Sequence, residues 1–179
     1  MSEIRIAERY ARSLVMLAGD QGRQKEVYAD MRQFSDICSS SRDLTGMLKS
    51  PIISADRKIA VLQRLFGDGF DALSMLFFRT VVKKGRESFL PLIAKEFIRQ
   101  YNELNNIAKA TVTTAVALDE LSYAEIRKDL EQKTGKHIEL QTAVDPSLIG
   151  GLVVRMGDNL YDASIARKLK KIKIELVLN

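Results

Sequence analysis

Apolar side chains recur every three or four positions through the first hundred residues, then alternate in short stretches between two further helical segments. From Ile4 to Gly19, the positions Ile4, Ile6, Ala7, Tyr10, Ala11, Leu14, Val15, Leu17 and Ala18 share one side of a helix. They fill an arc of roughly 180°, wider than the roughly 100° stripe of an ordinary surface helix. Arg5, Glu8, Arg9 and Arg12 occupy much of the other side. A second helix is expected over 24–38, with Val27, Met31, Phe34 and Cys38 on one face, broken by Ser39-Ser40-Ser41. A short third helix, Arg42–Lys49, stops before Ser50-Pro51 because the residue ahead of a proline avoids the helical region. Ser54 is placed to cap a fourth, which runs through Ile59, Leu62, Leu65 and Phe66 to Gly67-Asp68-Gly69.

The fifth helix, about Asp71–Lys84, is apolar at seven of the ten positions 73–82, almost all round the cylinder. Such a helix is central in its domain or touches something beyond it. Gly85 is its expected stop. A sixth runs from about Ser88 to Leu104, with Pro91 tolerable in the first turn. Asn102, Asn105 and Asn106 mark a boundary.

Beyond it, Val112, Thr114 and Val116 alternate in a strand over Ala110–Ala117. Leu121–Thr134 reads as helix through Leu121, Ile126 and Leu130, with Gly135 past its end. His137–Val144 alternates again. After Asp145-Pro146 come a strand Leu152–Met156, a turn Gly157-Asp158-Asn159 and a strand Leu160–Asp162, a hairpin pattern. Ser164 can cap a last helix whose Ile165, Leu169, Ile172 and Leu176 repeat at helical spacing, with Leu169 and Ile172 facing inward. The expected class is α+β: a six-helix bundle over 1–105, then a small α/β domain over 106–179 with a β-hairpin and flanking helices.

Composition narrows the chemistry. The 179 residues are 46% hydrophobic and 28% charged, too apolar for global disorder. The net charge is +5, of which the first 105 residues carry +4, a balance that does not mark a nucleic-acid binder. No run of about 18 apolar residues is present to span a bilayer. The run Leu14–Ala18 is too short for a signal-peptide core, and Glu3 and Glu8 argue against an import presequence, so an unprocessed cytosolic chain is expected. A single cysteine and a single histidine leave no intrachain disulfide, Cys-Cys zinc knuckle or imidazole pair.

Catalytic patterns are missing. Gly151 and Gly157 are wrongly spaced for a phosphate loop, and Asp158 stands where a lysine belongs. Gly150-Gly151 is read as a backbone device permitting positive φ and close approach. Cys38 lies on an apolar face without a base nearby, His137 opens a strand, and Asp119-Glu120 suit a helix N-terminus. The basic run Arg167, Lys168, Lys170, Lys171 and Lys173 is either a solvated helix face or a landing strip for an acidic partner. No aromatic residue interleaves with it, which disfavours a single-strand stacking platform. The apolar excess of helices one and five is either central core or a groove for an amphipathic helix, for which Met75 is an adaptable lining residue.

The segment DPSLIGGLVVRMGD, Asp145 to Asp158, continuing to Tyr161-Asp162-Ala163-Ser164, resembles the C-terminal signature of the ATP synthase delta subunit family. That family includes the mitochondrial oligomycin-sensitivity-conferring protein. The opening Ala7-Glu8-Arg9-Tyr10-Ala11-Arg12-Ser13-Leu14 and the Lys84-Gly85-Arg86 after helix five are also similar to it. The resemblance implies a non-catalytic stator with no cofactor or metal, joining the catalytic head of an F-type synthase to its peripheral stalk. The helical domain would grip the N-terminal helix of an alpha subunit between helices one and five; Ile6, Tyr10, Leu14, Leu17, Leu76 and Phe77 are the candidate anchors, some of which must instead be core. The second domain would hold the far end of the b-subunit stalk, with Lys168, Lys170 and Lys171 as acid-pairing residues. Asp145, Pro146, Gly150, Gly151 and Gly157 would serve as structural signature residues. Arg155 pairs with Asp145 or Asp162, or faces a partner. No nucleic acid and no membrane span are implied, and the location expected is the cytoplasmic face of a bacterial inner membrane. The other readings are a helical adaptor of another complex, a basic nucleic-acid module marked by steep salt dependence, and, last, a stand-alone enzyme.

Overall fold

Helix α1, Glu3–Asp20, buries Ala7, Ala11, Leu14, Val15 and Ala18, a stripe narrower than its apolar arc. The computed structural model describes residues 3–177, with the side chains of residues 172 and 174–177 excepted. The chain divides into two compact units, Met1–Asn102 and Glu103–Asn179.

The first unit continues with α2 (Gln24–Ser40), α3 (Arg42–Lys49), α4 (Ala55–Phe66), α5 (Ala72–Lys83), a 3-10 turn (Glu87–Phe89) and α6 (Leu90–Leu104). Its centre is aromatic. Phe34 of α2 stands 4.7 Å from Phe78 of α5 and 5.5 Å from Phe66 of α4, centroid to centroid. Phe70 closes the cluster against Phe66 at 4.7 Å. Tilted and edge-to-face pairs of this kind add to the apolar burial of the rings.

Several helix ends depart from the sequence pattern. Ser39 and Ser40 stay helical, their hydroxyls donating to the Ser35 and Asp36 carbonyls one turn back. The break comes at Ser41, whose side chain accepts from Leu44 N at 3.2 Å and so caps α3. Ser54 occupies the cap position of α4 without a side-chain bond. On α4, Leu65 points outward, and Lys58 takes the buried stripe with Leu62 and Phe66. Lys58 Nζ donates to the Leu48 carbonyl at 3.0 Å and to Glu87 at 2.7 Å. It thereby satisfies an orphan carbonyl at the C-terminus of α3 and ties it to the 3-10 turn. Asp71 begins α5 by accepting from Leu73 N, while its own N–H donates to buried Asp30 of α2 at 2.8 Å. Burial pushes the Asp30 carboxyl up despite the hydrogen bond from the Asp71 N–H. At its other end α5 closes in a Schellman motif. Gly85 at φ +65° donates to Val82 O and Arg86 donates to Val81 O.

The second unit holds β1 (Ile107–Thr114), α7 (Glu120–Thr134), β2 (His137–Val144), a 3-10 turn (Pro146–Leu148), β3 (Leu152–Met156), β4 (Asn159–Asp162) and α8 (Ile165–Val177). The sheet order is β2-β1-β3-β4. β1 and β2 run parallel, joined through α7, and the remaining pairs are antiparallel. Ala110, Val112, Ile138, Leu140 and Val154 form the core, covered by Tyr123, Ile126 and Leu130 of α7. The first strand starts at Ile107 rather than Ala110, in register with His137. Val116 lies outside it and is exposed, since Thr114 Oγ1 donates to Val116 O and turns the chain. Leu121 is also exposed; Tyr123 takes the inward place and donates to Leu140 O at 3.1 Å. The β3–β4 turn is two residues, Gly157-Asp158, and Asn159 already pairs with Met156.

Candidate partner-binding surfaces

On α1 the flank beside the buried stripe carries Ile6, Tyr10, Ser13 and Leu17 at i, i+4, i+7 and i+11. Ile6 and Tyr10 are half-buried and Leu17 is 42% exposed. Leu14 is only 1% exposed, so it belongs to the core and leaves the set of anchors open to a partner. On α5, Leu73, Met75, Phe78, Val81 and Val82 are buried. Met75 is therefore not a surface residue, and central packing accounts for most of the apolar excess of this helix. What remains is Leu76, 59% exposed, and half-buried Phe77. Phe77 meets Tyr10 edge to face, with ring centroids 6.4 Å apart and planes at 70°. The flanks of α1 and α5 are thus joined by one aromatic contact with exposed leucines on both helices.

Beside it lies a shallow pocket of about 180 Å³ lined by Ile6, Arg9, Tyr10, Ser13 and Arg86. Ser13 Oγ donates to the Arg9 carbonyl. The sequence reading missed Arg9 and Arg86 as lining residues. Helical angle alone put Arg9 on the polar side, and Arg86 follows the Gly85 stop.

In the second unit, α8 packs against the Pro146–Leu148 turn. Ser164 Oγ accepts from Arg167 N at 3.2 Å and caps it. Leu169 does not face inward as the repeat suggests: it is 52% exposed, and Ile165 and Ile149 are exposed too. The side chains of Ile172 and Leu176 lie outside the described residues. Lys168, Lys170 and Lys171 are exposed on the same helix, while Arg167 approaches Asp162 at 3.8 Å. This surface is accordingly apolar as well as basic.

The signature residues shape the backbone. Asp145 accepts from Ser147 N at 3.0 Å at the start of the turn opened by Pro146. The Ser147 bonds hold its carboxyl below the usual aspartate range. At Gly151, φ is +74° and a Cβ would collide with the Ala163 carbonyl oxygen. Gly157 needs only its φ of +55°. A Cβ on Gly150 would meet the flexible tip of Ile165, a milder constraint. Asp162 accepts from Ser164 N at 3.0 Å. Exposed Arg155 pairs with neither Asp145 nor Asp162.

Among the described residues no three His, Cys, Asp or Glu side chains gather as a metal site, and no helix is long and apolar enough to cross a membrane. Burial pushes the Cys38 thiol up to about 11 against the opposing pull of Lys95.

Known proteins fit this arrangement across the whole chain. The model of the family described as ATP synthase delta (OSCP) subunit matches residues 6–176. An ATP synthase subunit delta from Christiangramia forsetii is 38% identical over 176 residues, 98% of this chain and 95% of that protein. One from Syntrophomonas wolfei is 33% identical over 171 residues, 96% and 94% of the two chains. A chain of the Toxoplasma gondii mitochondrial ATP synthase hexamer shares the fold with a TM-score of 0.68 at 21% identity, covering 96% of this chain and 97% of its own. With its helical unit followed by a four-stranded mixed sheet and this extent of matching sequence, the chain belongs to the ATP synthase delta (OSCP) subunit family.

Proposed function

We propose that the protein is a non-catalytic stator subunit of an F-type ATP synthase. It holds the alpha/beta head to the peripheral stalk so that the head does not turn with the rotor. The helical unit, taken as 1–105, is the six-helix bundle that binds the head; the α/β unit, 106–179, binds the b-subunit stalk. Its place is peripheral, at the cytoplasmic face of a bacterial inner membrane.

One observation carries the head-binding half: the Tyr10–Phe77 contact, with Leu17 and Leu76 left exposed on the joined flanks. An amphipathic helix reads such a surface through anchors at helical spacing. The N-terminal helix of an alpha subunit is the proposed occupant, on Ile6, Tyr10, Leu17, Leu76 and Phe77. Nanomolar affinity corresponds to about −12 kcal/mol. Association and ordering costs consume much of the roughly 25 cal/mol per Å² from apolar burial, so a few concentrated anchors must dominate. At the other end, exposed Ile165 and Leu169 offer apolar contact, and Lys168, Lys170 and Lys171 pair with acids of the stalk.

The test is titration of the full chain with a labelled peptide from the N-terminus of the same organism's alpha subunit, and separately with the soluble part of its b subunit. One-to-one binding of the peptide is expected, weakened about 100-fold by Leu76→Asp in a chain that still folds. Stalk binding is expected to weaken in Leu169→Asp and to fall with salt in proportion to the lysines engaged. A folded chain that binds neither favours an adaptor of another complex.

A further inference from the structure

Arg9 and Arg86 come from different elements and line one pocket with Ile6 and Tyr10. Neither guanidinium meets a carboxylate among the described residues. Arg86 is half-buried and its backbone is pinned, since its N–H donates to Val81 O and its carbonyl accepts from Phe89 N. A cation just past the C-terminus of α5 complements the helix dipole, which accounts for one positive charge there. It does not account for a second. Arg9 follows Arg5 at i, i+4, a like-charge spacing that is unfavourable on an isolated helix. Two arginines therefore line one shallow concavity beside Ile6 and Tyr10, at the edge of the surface proposed for the alpha helix, and no carboxylate among the described residues pairs with either.

Resting on that reading of the surface, we infer that Arg9 and Arg86 together receive a carboxylate of the incoming helix and set its register. Ile6 and Tyr10 give the contact apolar neighbours, and the docked helix would cover it from water, which strengthens it relative to a pair on an open face. Guanidinium forks suit a carboxylate because they donate two parallel hydrogen bonds, so the pair fixes orientation as well as charge. The leucines supply contact area, and the arginines choose which turn of the partner lies over Tyr10.

The experiment uses the full chain and a fluorescent synthetic peptide from the N-terminus of the same organism's alpha subunit. Each Asp or Glu of the peptide is replaced in turn by Asn or Gln. Binding is measured to the wild type, to Arg9→Gln, to Arg86→Gln and to the double variant, at low and high salt. One peptide acid is expected to matter about tenfold for the wild type and less than twofold for the double variant. The salt dependence is expected to flatten in the double variant. Arg86→Lys is expected to recover only part of the loss. Arg9 is exposed, so Arg9→Gln keeps the test alive if Arg86→Gln disturbs folding. Tight binding indifferent to every acid, or equal losses in both backgrounds, overturns this inference and leaves the groove reading intact. Failure of the unaltered peptide to bind folded wild type overturns both.

Discussion

Replacing Lys58 by methionine removes a cation that is 2% exposed and bonded to Leu48 O at 3.0 Å and Glu87 at 2.7 Å. Methionine keeps the length and most of the apolar stem, so little volume is lost. What changes is electrostatic. Glu87 keeps its carboxylate at 17% exposure with no counter-charge, and the α3 carbonyl loses its donor. Removing one partner of a buried pair costs about 3–5 kcal/mol, and the remaining exposure of Glu87 puts this case near 3 kcal/mol. In a unit of about 100 residues that is roughly 15 °C of melting temperature. Differential scanning calorimetry of the full chain reads it directly. The double variant Lys58→Met, Glu87→Leu is expected to recover most of the loss, because two apolar groups then replace two ions. The pH dependence has a definite sign. Burial raises the Glu87 carboxyl, but the bonds and charge of Lys58 outweigh it and hold it below its usual range. The stability from this pair is therefore complete above the unfolded pKa of about 4.3, and is lost as pH falls through the depressed folded value. The gap between wild type and Lys58→Met is expected to narrow below pH 4. A loss under about 1 kcal/mol at pH 7, or a double variant less stable than the single, refutes the reasoning.

Other predictions follow the same logic. Ser41→Ala removes the cap of α3 and is expected to cost about 1 kcal/mol by denaturant titration, whereas Ser54→Ala, which loses no cap bond, costs only a few tenths. Gly151→Ala is expected to lower the melting temperature of the α/β unit more than Gly157→Ala. The second pays about 1–2 kcal/mol for its left-handed backbone, and the first adds a collision with the Ala163 carbonyl. Cys38, with its thiol near 11, is expected to resist a thiol reagent at pH 8 until the chain unfolds. Because that value is raised, the wild type loses stability relative to Cys38→Ala as pH climbs from about 8.5 toward 11.

Where local chemistry sets a boundary, the sequence is readable. Helix α3 runs Arg42–Lys49 as the pattern says, between Ser41 and the residue before Pro51. Strand β2 runs His137–Val144, between left-handed Gly135 and Asp145. Where depth decides, it is not. Periodicity assigns Tyr10, Leu14 and Leu17 neighbouring angles on α1, but only the packing of other helices makes Leu14 core and leaves Leu17 outside. Leu169 shows the converse: its repeat is regular, yet it is left half exposed by the described residues of its own unit. Lys58 stands four residues before Leu62 on the apolar stripe of α4, a signal available in the sequence but interpretable only once Glu87 lies beside it. Strand β1 is misplaced because alanines at 108 and 110 fill its inward register, and alanine carries little strand signal. Of the surface proposed for head binding, the pairing of helices one and five was legible. The arginines at its edge were not, since a periodic count treats every charge as solvated.

The stator claim is tested most directly by proton-driven ATP synthesis in membranes stripped of this subunit and then supplied with purified chain. The account predicts that wild type restores synthesis. The folded variant Leu17→Asp, Leu76→Asp, with head binding weakened more than 100-fold, is predicted not to restore it, although the head still hydrolyses ATP. Synthesis that needs no added chain, or full restoration by that variant at the same concentration, would contradict it.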